Sequence, residues 1–113
     1  MVRIKRAYEA ASSSDGCRVL VDRLWPRGVS KERAELDEWL KDVAPSTELR
    51  TWWNHDPARM EEFALRYRAE LDSNTEAVKT LRALVDAGVT TLVYGAKDQY
   101  VNHARVLAEY LKE

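Results

Sequence analysis

One cysteine stands in 113 residues, so no disulfide can form within the chain. That usage suits a reducing compartment, and a cytoplasmic location is the expectation. Cys17 opens an apolar run, where a small buried residue fits better than a nucleophile. There are two histidines, His55 and His103, and no CxxC or HxxxH pattern goes with them. Neither a metal nor a cofactor is therefore expected. No apolar run approaches the ~20 residues that span a bilayer. The opening MVRIKRAYEA also has no signal-peptide apolar core, so no membrane partner is expected. A basic excess is missing as well: 18 basic residues face 19 acidic ones, which disfavours nucleic acid as a partner. GxGxxG, Walker-type and GxSxG loops are not found. Phenylalanine occurs once, against four tryptophans and five tyrosines. Trp and Tyr carry a polar handle and often wall pockets or interfaces.

What is present suits one α/β domain over residues 1–113. A chain of this size buries roughly two thirds of the surface its unfolded form exposes. Val2–Ala7 alternates as a half-buried strand. Ala11–Gly16 is a loop. Cys17–Leu24 centres on Val19-Leu20-Val21, an apolar run of the kind buried on both faces in a parallel sheet. Ser30 caps a predicted helix reaching Val43, with Leu36, Trp39, Leu40 and Val43 on one face. Pro45 stops it, and Ser46 caps a short helix that holds Leu49, Trp52 and Trp53. Asp56-Pro57 starts a helix that runs to Leu71. Ser73-Asn74-Thr75-Glu76 reads as a capping box for the next helix, which ends at Gly88. Val89–Tyr94 is a β-branched strand. Gly95-Ala96-Lys97-Asp98 follows, with Asp98 as N-cap of a last helix over Gln99–Leu111. The order predicts a small, mostly parallel sheet of about three strands flanked by several helices.

Two strands end in specified loops. One carries Asp22, Arg23, Trp25 and Arg27, and the other Lys97, Asp98, Asn102 and His103. Parallel strands would place both loops on one sheet edge, where open α/β sheets bind ligands. Arg23, Arg27 and Lys97 supply positive charge suited to carboxylate or phosphate. Trp25 and Asn102 complete the candidate ligand-binding set. His103 and Asp98 are the candidate acid–base pair. Asp22 is assigned to a structural ion pair or to orienting a neighbour. In the bland alternative, Asp22–Lys97 and Asp98–Arg23 pairs merely lock the loops together. Trp52-Trp53-Asn54-His55 is a second polar-aromatic cluster, able to wall the crevice or to form a contact between copies.

Val21–Glu32 (VDRLWPRGVSKE), Asp37-x-Trp39-Leu40-Lys41-Asp42-x-Ala44-Pro45-Ser46, Glu48-Leu49-Arg50, and Ala96-Lys97-Asp98 with Asn102-His103-Ala104 resemble the YeaO-like family, domain of unknown function 488. The resemblance covers nearly the whole chain. It implies a cytosolic α/β domain and no established reaction. The family's recurring polar positions correspond here to Asp22, Arg23, Arg27, Lys97, Asp98, Asn102 and His103. Longer relatives carry a cysteine immediately before the corresponding histidine, and Asn102 stands there in this chain. That departure argues against thiol or metal chemistry.

The leading expectation is a protein that binds a small anionic or phosphate-bearing molecule at the carboxyl edge of its sheet. Whether it is also an acid–base enzyme is left open. The alternative is a non-catalytic interaction or dimerisation module built on Trp25, Trp52 and Trp53, and the oligomeric state is left open too.

Overall fold

The computed structural model describes every residue, Met1–Glu113. Four strands form one parallel sheet: β1 (Val2–Arg6), β2 (Cys17–Leu20), β3 (Glu38–Trp39) and β4 (Thr90–Tyr94), in the order β1-β4-β2-β3. The helices are α1 (Lys31–Ala34), α2 (Thr47–Trp53), α3 (Met60–Ser73), α4 (Thr75–Ala87) and α5 (His103–Leu111). None is long and apolar enough to cross a membrane.

The two central strands are β2 and β4, whose side chains are almost all sealed from solvent. Strand alternation sends Val19, Val21, Leu92 and Tyr94 into one cluster, with Trp53, Phe63, Tyr67, Leu81 and Leu107 from the helices. Leu20 and Val93 point the other way, into a smaller cluster with Val29 and Ala34, against which Trp25 and Trp39 pack. An apolar run buried on both faces is what such a position demands. Each of these side chains contributes roughly 1.5–3 kcal/mol by leaving water.

The sheet has four strands rather than about three, and the added strand lies where a helix over Ser30–Val43 was expected. Ser30 does cap a helix, but α1 ends after one turn, and Glu35 takes a left-handed φ of 44°. Beyond it the chain pairs with β2. The Asp37 carboxylate accepts from the Arg18 N–H at 2.8 Å, the Asp37 N–H donates to the Arg18 carbonyl at 2.9 Å, and the Leu40 N–H donates to the Leu20 carbonyl at 2.9 Å. Sheet hydrogen bonds thus override the helical spacing of Leu36, Trp39, Leu40 and Val43.

Two predicted caps also move. Ser73 ends α3, and Asn74 links α3 to α4 while its amide donates to the Asp42 carbonyl at 2.6 Å. The last helix starts at His103, because Asn102 caps it and Asp98 does not. The Ala11–Gly16 loop is more ordered than expected. Ser12 and Asp15 cap each other across a 3₁₀ turn. Asp15 is buried against Arg18 at 2.6 Å and Lys5 at 3.1 Å. Gly16, with a φ of +65°, then meets Val89, where a Cβ would lie 2.2 Å from a carbonyl oxygen.

Candidate functional site

Because the strands are parallel, the segments after β2 and β4 leave the sheet at one edge, side by side. The Val21 N–H donates to the Val93 carbonyl at 3.0 Å, extending the ladder by one step. One residue later, Asp22 Oδ2 accepts from the Gly95 N–H at 2.8 Å. A Cβ on Gly95 would lie only 3.0 Å from that oxygen, so the small residue permits the approach. Asp22 Oδ1 lies 3.1 Å from His103 Nε2, which is also 3.0 Å from the Val21 carbonyl oxygen. The Asp22 carbonyl in turn accepts from Trp39 Nε1 at 2.7 Å. Asp22 therefore joins β2, β4 and α5. Its partners are a histidine and a backbone amide; neither the Asp22–Lys97 nor the Asp98–Arg23 pair forms.

Asp22, Arg23, Leu24, Arg50, Trp53 and His103 are among the residues around a cavity of about 100 Å³ at this edge, together with Ala44, Pro45, His55 and Ala96. Arg23 is fastened from behind, as its Nε donates to the Pro45 carbonyl at 3.1 Å and its Nη2 to the Ala44 carbonyl at 3.3 Å. Arg50 is exposed on α2, and its guanidinium makes no hydrogen bond or ion pair within the protein. Trp53 is 1% exposed and its Nε1 donor finds no acceptor.

The local sequence explains why α2 carries these groups here. Ser46 caps α2 by accepting from the Leu49 N–H at 3.1 Å, and is itself held by both oxygens of Glu70, at 2.9 and 2.6 Å. At the other end Asn54 and His55 both take left-handed φ, 48° and 53°. Asn is well suited to that position after a helix. The double turn folds His55 back onto Trp53, with ring centroids 4.6 Å apart. Trp53 stacks in turn on Phe63 at 3.8 Å. Partial desolvation lowers the His55 pKa, and the nearby His103 acts in the same direction.

The other candidates lie elsewhere. Asn102 is fully buried and spends its amide on backbone, accepting from the Arg105 N–H at 2.8 Å and donating to the Asp98 carbonyl at 3.0 Å. Asp98 accepts from the backbone of Tyr100 at 2.7 Å and Val101 at 2.9 Å. Those bonds hold its carboxyl below the usual range and make it a turn former outside the cavity. Trp25 donates to the Val29 carbonyl at 2.6 Å and meets Trp39 edge to face, in the smaller cluster. Arg27 and Lys97 are exposed and do not border the cavity. Trp52 is half-buried between Arg59 and Arg66, whose guanidiniums lie 5.3 and 4.2 Å from its ring centre. Trp25, Trp52 and Trp53 thus belong to three different environments and do not form one exposed surface.

The cavity gathers what the strand-end loops share with α2. Arg50 was not anticipated from sequence, whereas Trp53 and His55 belong to the Trp52–His55 cluster that was read as able to wall the crevice. The signal for His55 was the helix-ending Asn54 that precedes it.

A parallel α/β protein with a cation-bordered cavity at the carboxyl edge of its sheet is the class that these features define. The chain belongs to the DUF488-N3 family: residues 1–113 match the model described as the inactive DUF488-N3 subclade. It is 46% identical over 110 residues to an uncharacterized protein of Mycobacterium tuberculosis, covering 97% of this chain and 92% of the relative. It is 43% identical over 111 residues to the uncharacterized protein YeaO of Escherichia coli, covering 98% and 96%. No solved structure matches the chain.

Proposed function

We propose that this protein binds a small anion, a carboxylate or phosphate group, in the cavity between Asp22, Arg50, Trp53 and His103. The observation that carries the reading is a concentration of unused donors at one place. Arg50 has no partner, Arg23 is oriented by two carbonyls, and the buried Trp53 Nε1 lacks an acceptor. At about 100 Å³ the cavity is well below the ~300–1,000 Å³ of sites for drug-sized ligands. Its occupant is therefore a small ion or the charged head of a larger molecule.

Binding without turnover fits the chain better than catalysis. Asp98, the expected partner of His103, is committed to a turn, and Asn102 is committed to a helix cap. The matching family model is also described as an inactive subclade.

Thermal denaturation with inorganic phosphate tests the reading. A ligand at 100 times its Kd stabilises the native state by about 2.7 kcal/mol. Phosphate is expected to raise the melting temperature of the wild type and of Arg27→Ala alike, and to do so far less for Arg50→Ala. Equal shifts for Arg50→Ala and wild type would refute the assignment.

A further inference from the structure

Resting on the anion site just proposed, we infer that the cavity selects a monoprotonated tetrahedral oxyanion, hydrogenphosphate, over a fully ionised one such as sulfate. The inference comes from the hydrogen bonds of His103. Its Nε2 faces two groups that can only accept, the Val21 carbonyl at 3.0 Å and Asp22 Oδ1 at 3.1 Å. Nε2 must therefore carry the proton. In a neutral imidazole the other nitrogen, Nδ1, is then a lone pair. No group of the protein donates to Nδ1, and it is not among the sealed unpartnered atoms, which are Arg18 Nη2, Asp22 Oδ1 and Trp53 Nε1. His103 borders the cavity, and its Nδ1, which has no partner within the protein, is assigned as the acceptor an occupant meets there.

The other groups available around the cavity are donors. Arg50 is free, and Arg23 uses Nε and Nη2 on carbonyls but makes no bond through Nη1. The Ala44 and Pro45 carbonyls already accept from Arg23, and Asp22 Oδ1 is sealed. Several donors and one acceptor complement an anion that carries one hydrogen. Hydrogenphosphate offers three oxygens to the donors and its O–H to His103 Nδ1. Sulfate has no hydrogen, so one of its oxygens would set a lone pair against that of Nδ1. Leaving one such group unpaired lowers affinity by about ten-fold or more.

The test is calorimetric titration of the whole wild-type chain with phosphate and with sulfate at about pH 8. A parallel titration follows the His103 imidazole nitrogens by ¹⁵N NMR. The expected result is phosphate binding at least about ten-fold more tightly than sulfate, with the His103 Nδ1 resonance moving as phosphate is added. Equal affinities, or tighter sulfate, would overturn the selectivity and leave the anion site standing. Binding of neither anion would overturn the anion site, and this inference with it.

Discussion

Replacing Asp22 by Asn changes almost no volume, yet it removes a hydrogen-bonding option that the structure requires. Asp22 presents two acceptors, Oδ2 to the Gly95 N–H at 2.8 Å and Oδ1 towards His103 Nε2 at 3.1 Å. An amide has one acceptor. If its oxygen stays with Gly95, its NH₂ faces the Nε2–H; if it flips, its NH₂ faces the Gly95 N–H. A switch of the His103 tautomer relieves the first clash but then sets a lone pair against the Val21 carbonyl. One arrangement forfeits the Gly95 hydrogen bond to a charged group and the other the 3.1 Å contact of His103 Nε2 with the carboxylate, about 1.5–3 kcal/mol in either case. A loss of about 2 kcal/mol is the central expectation. Unfolding entropy near 2.1 cal/mol/K per residue, over 113 residues, gives about 0.24 kcal/mol/K, so the melting temperature should fall by about 8 °C. Calorimetry or circular dichroism reads the shift, and urea unfolding should show a lower midpoint at unchanged slope. A melting temperature within about 2 °C of wild type, with the His103 ¹⁵N pattern unchanged, would refute the assigned hydrogen bonds.

Two pH effects follow with defined sign. Desolvation holds His55 below its ordinary value of 6.5 in the folded state. The unfolded chain therefore takes up its proton first, so stability is fully present above pH 6.5 and declines as pH falls below it. Melting curves across that window should flatten in His55→Asn. For Asp15, burial alone would raise the carboxyl's pKa, but the Ser12 N–H, Lys5 and Arg18 together hold it below 3.8. Its contribution is present above pH 3.8 and is lost as pH falls through the folded value. Asp15→Asn should lower stability at neutral pH by about 3 kcal/mol, since it leaves Arg18 buried without its counter-charge, and should shrink the acid-induced loss.

The inner strands were legible because their signals are local and strong. Val19-Leu20-Val21 and the VTTLVY run are short, apolar or β-branched, and bounded by breakers, and both are central strands. Their parallel direction, inferred from the closing strand–loop–helix unit, places the Asp22 and Gly95 segments together. β3 was not legible. Its two residues are held by long-range pairing with Arg18 and Leu20, and Leu36, Trp39, Leu40 and Val43 happen to satisfy helical spacing. The site was half legible. Asp22, Arg23 and His103 border the cavity. Arg27, Lys97 and Trp25 were selected by nearness in sequence to the strand ends, and turn geometry carries them away from it. Arg50 comes from α2 and His55 from the turn that ends it, and the position of α2 depends on Glu70 gripping Ser46 across 24 residues. No short-range pattern records that contact. Asn102 looked like a ligand group and is a helix cap, a role that Asn at the start of a helix fills readily.

The most direct test of the anion site is an NMR titration of ¹⁵N-labelled protein with inorganic phosphate, watching the indole N–H of Trp53. A saturable shift of that resonance, together with Gly95 and Ala96 and abolished in Arg50→Ala, is the predicted result. A Trp53 indole that stays unmoved while phosphate perturbs only the exposed Arg27 and Lys97 region would contradict the account.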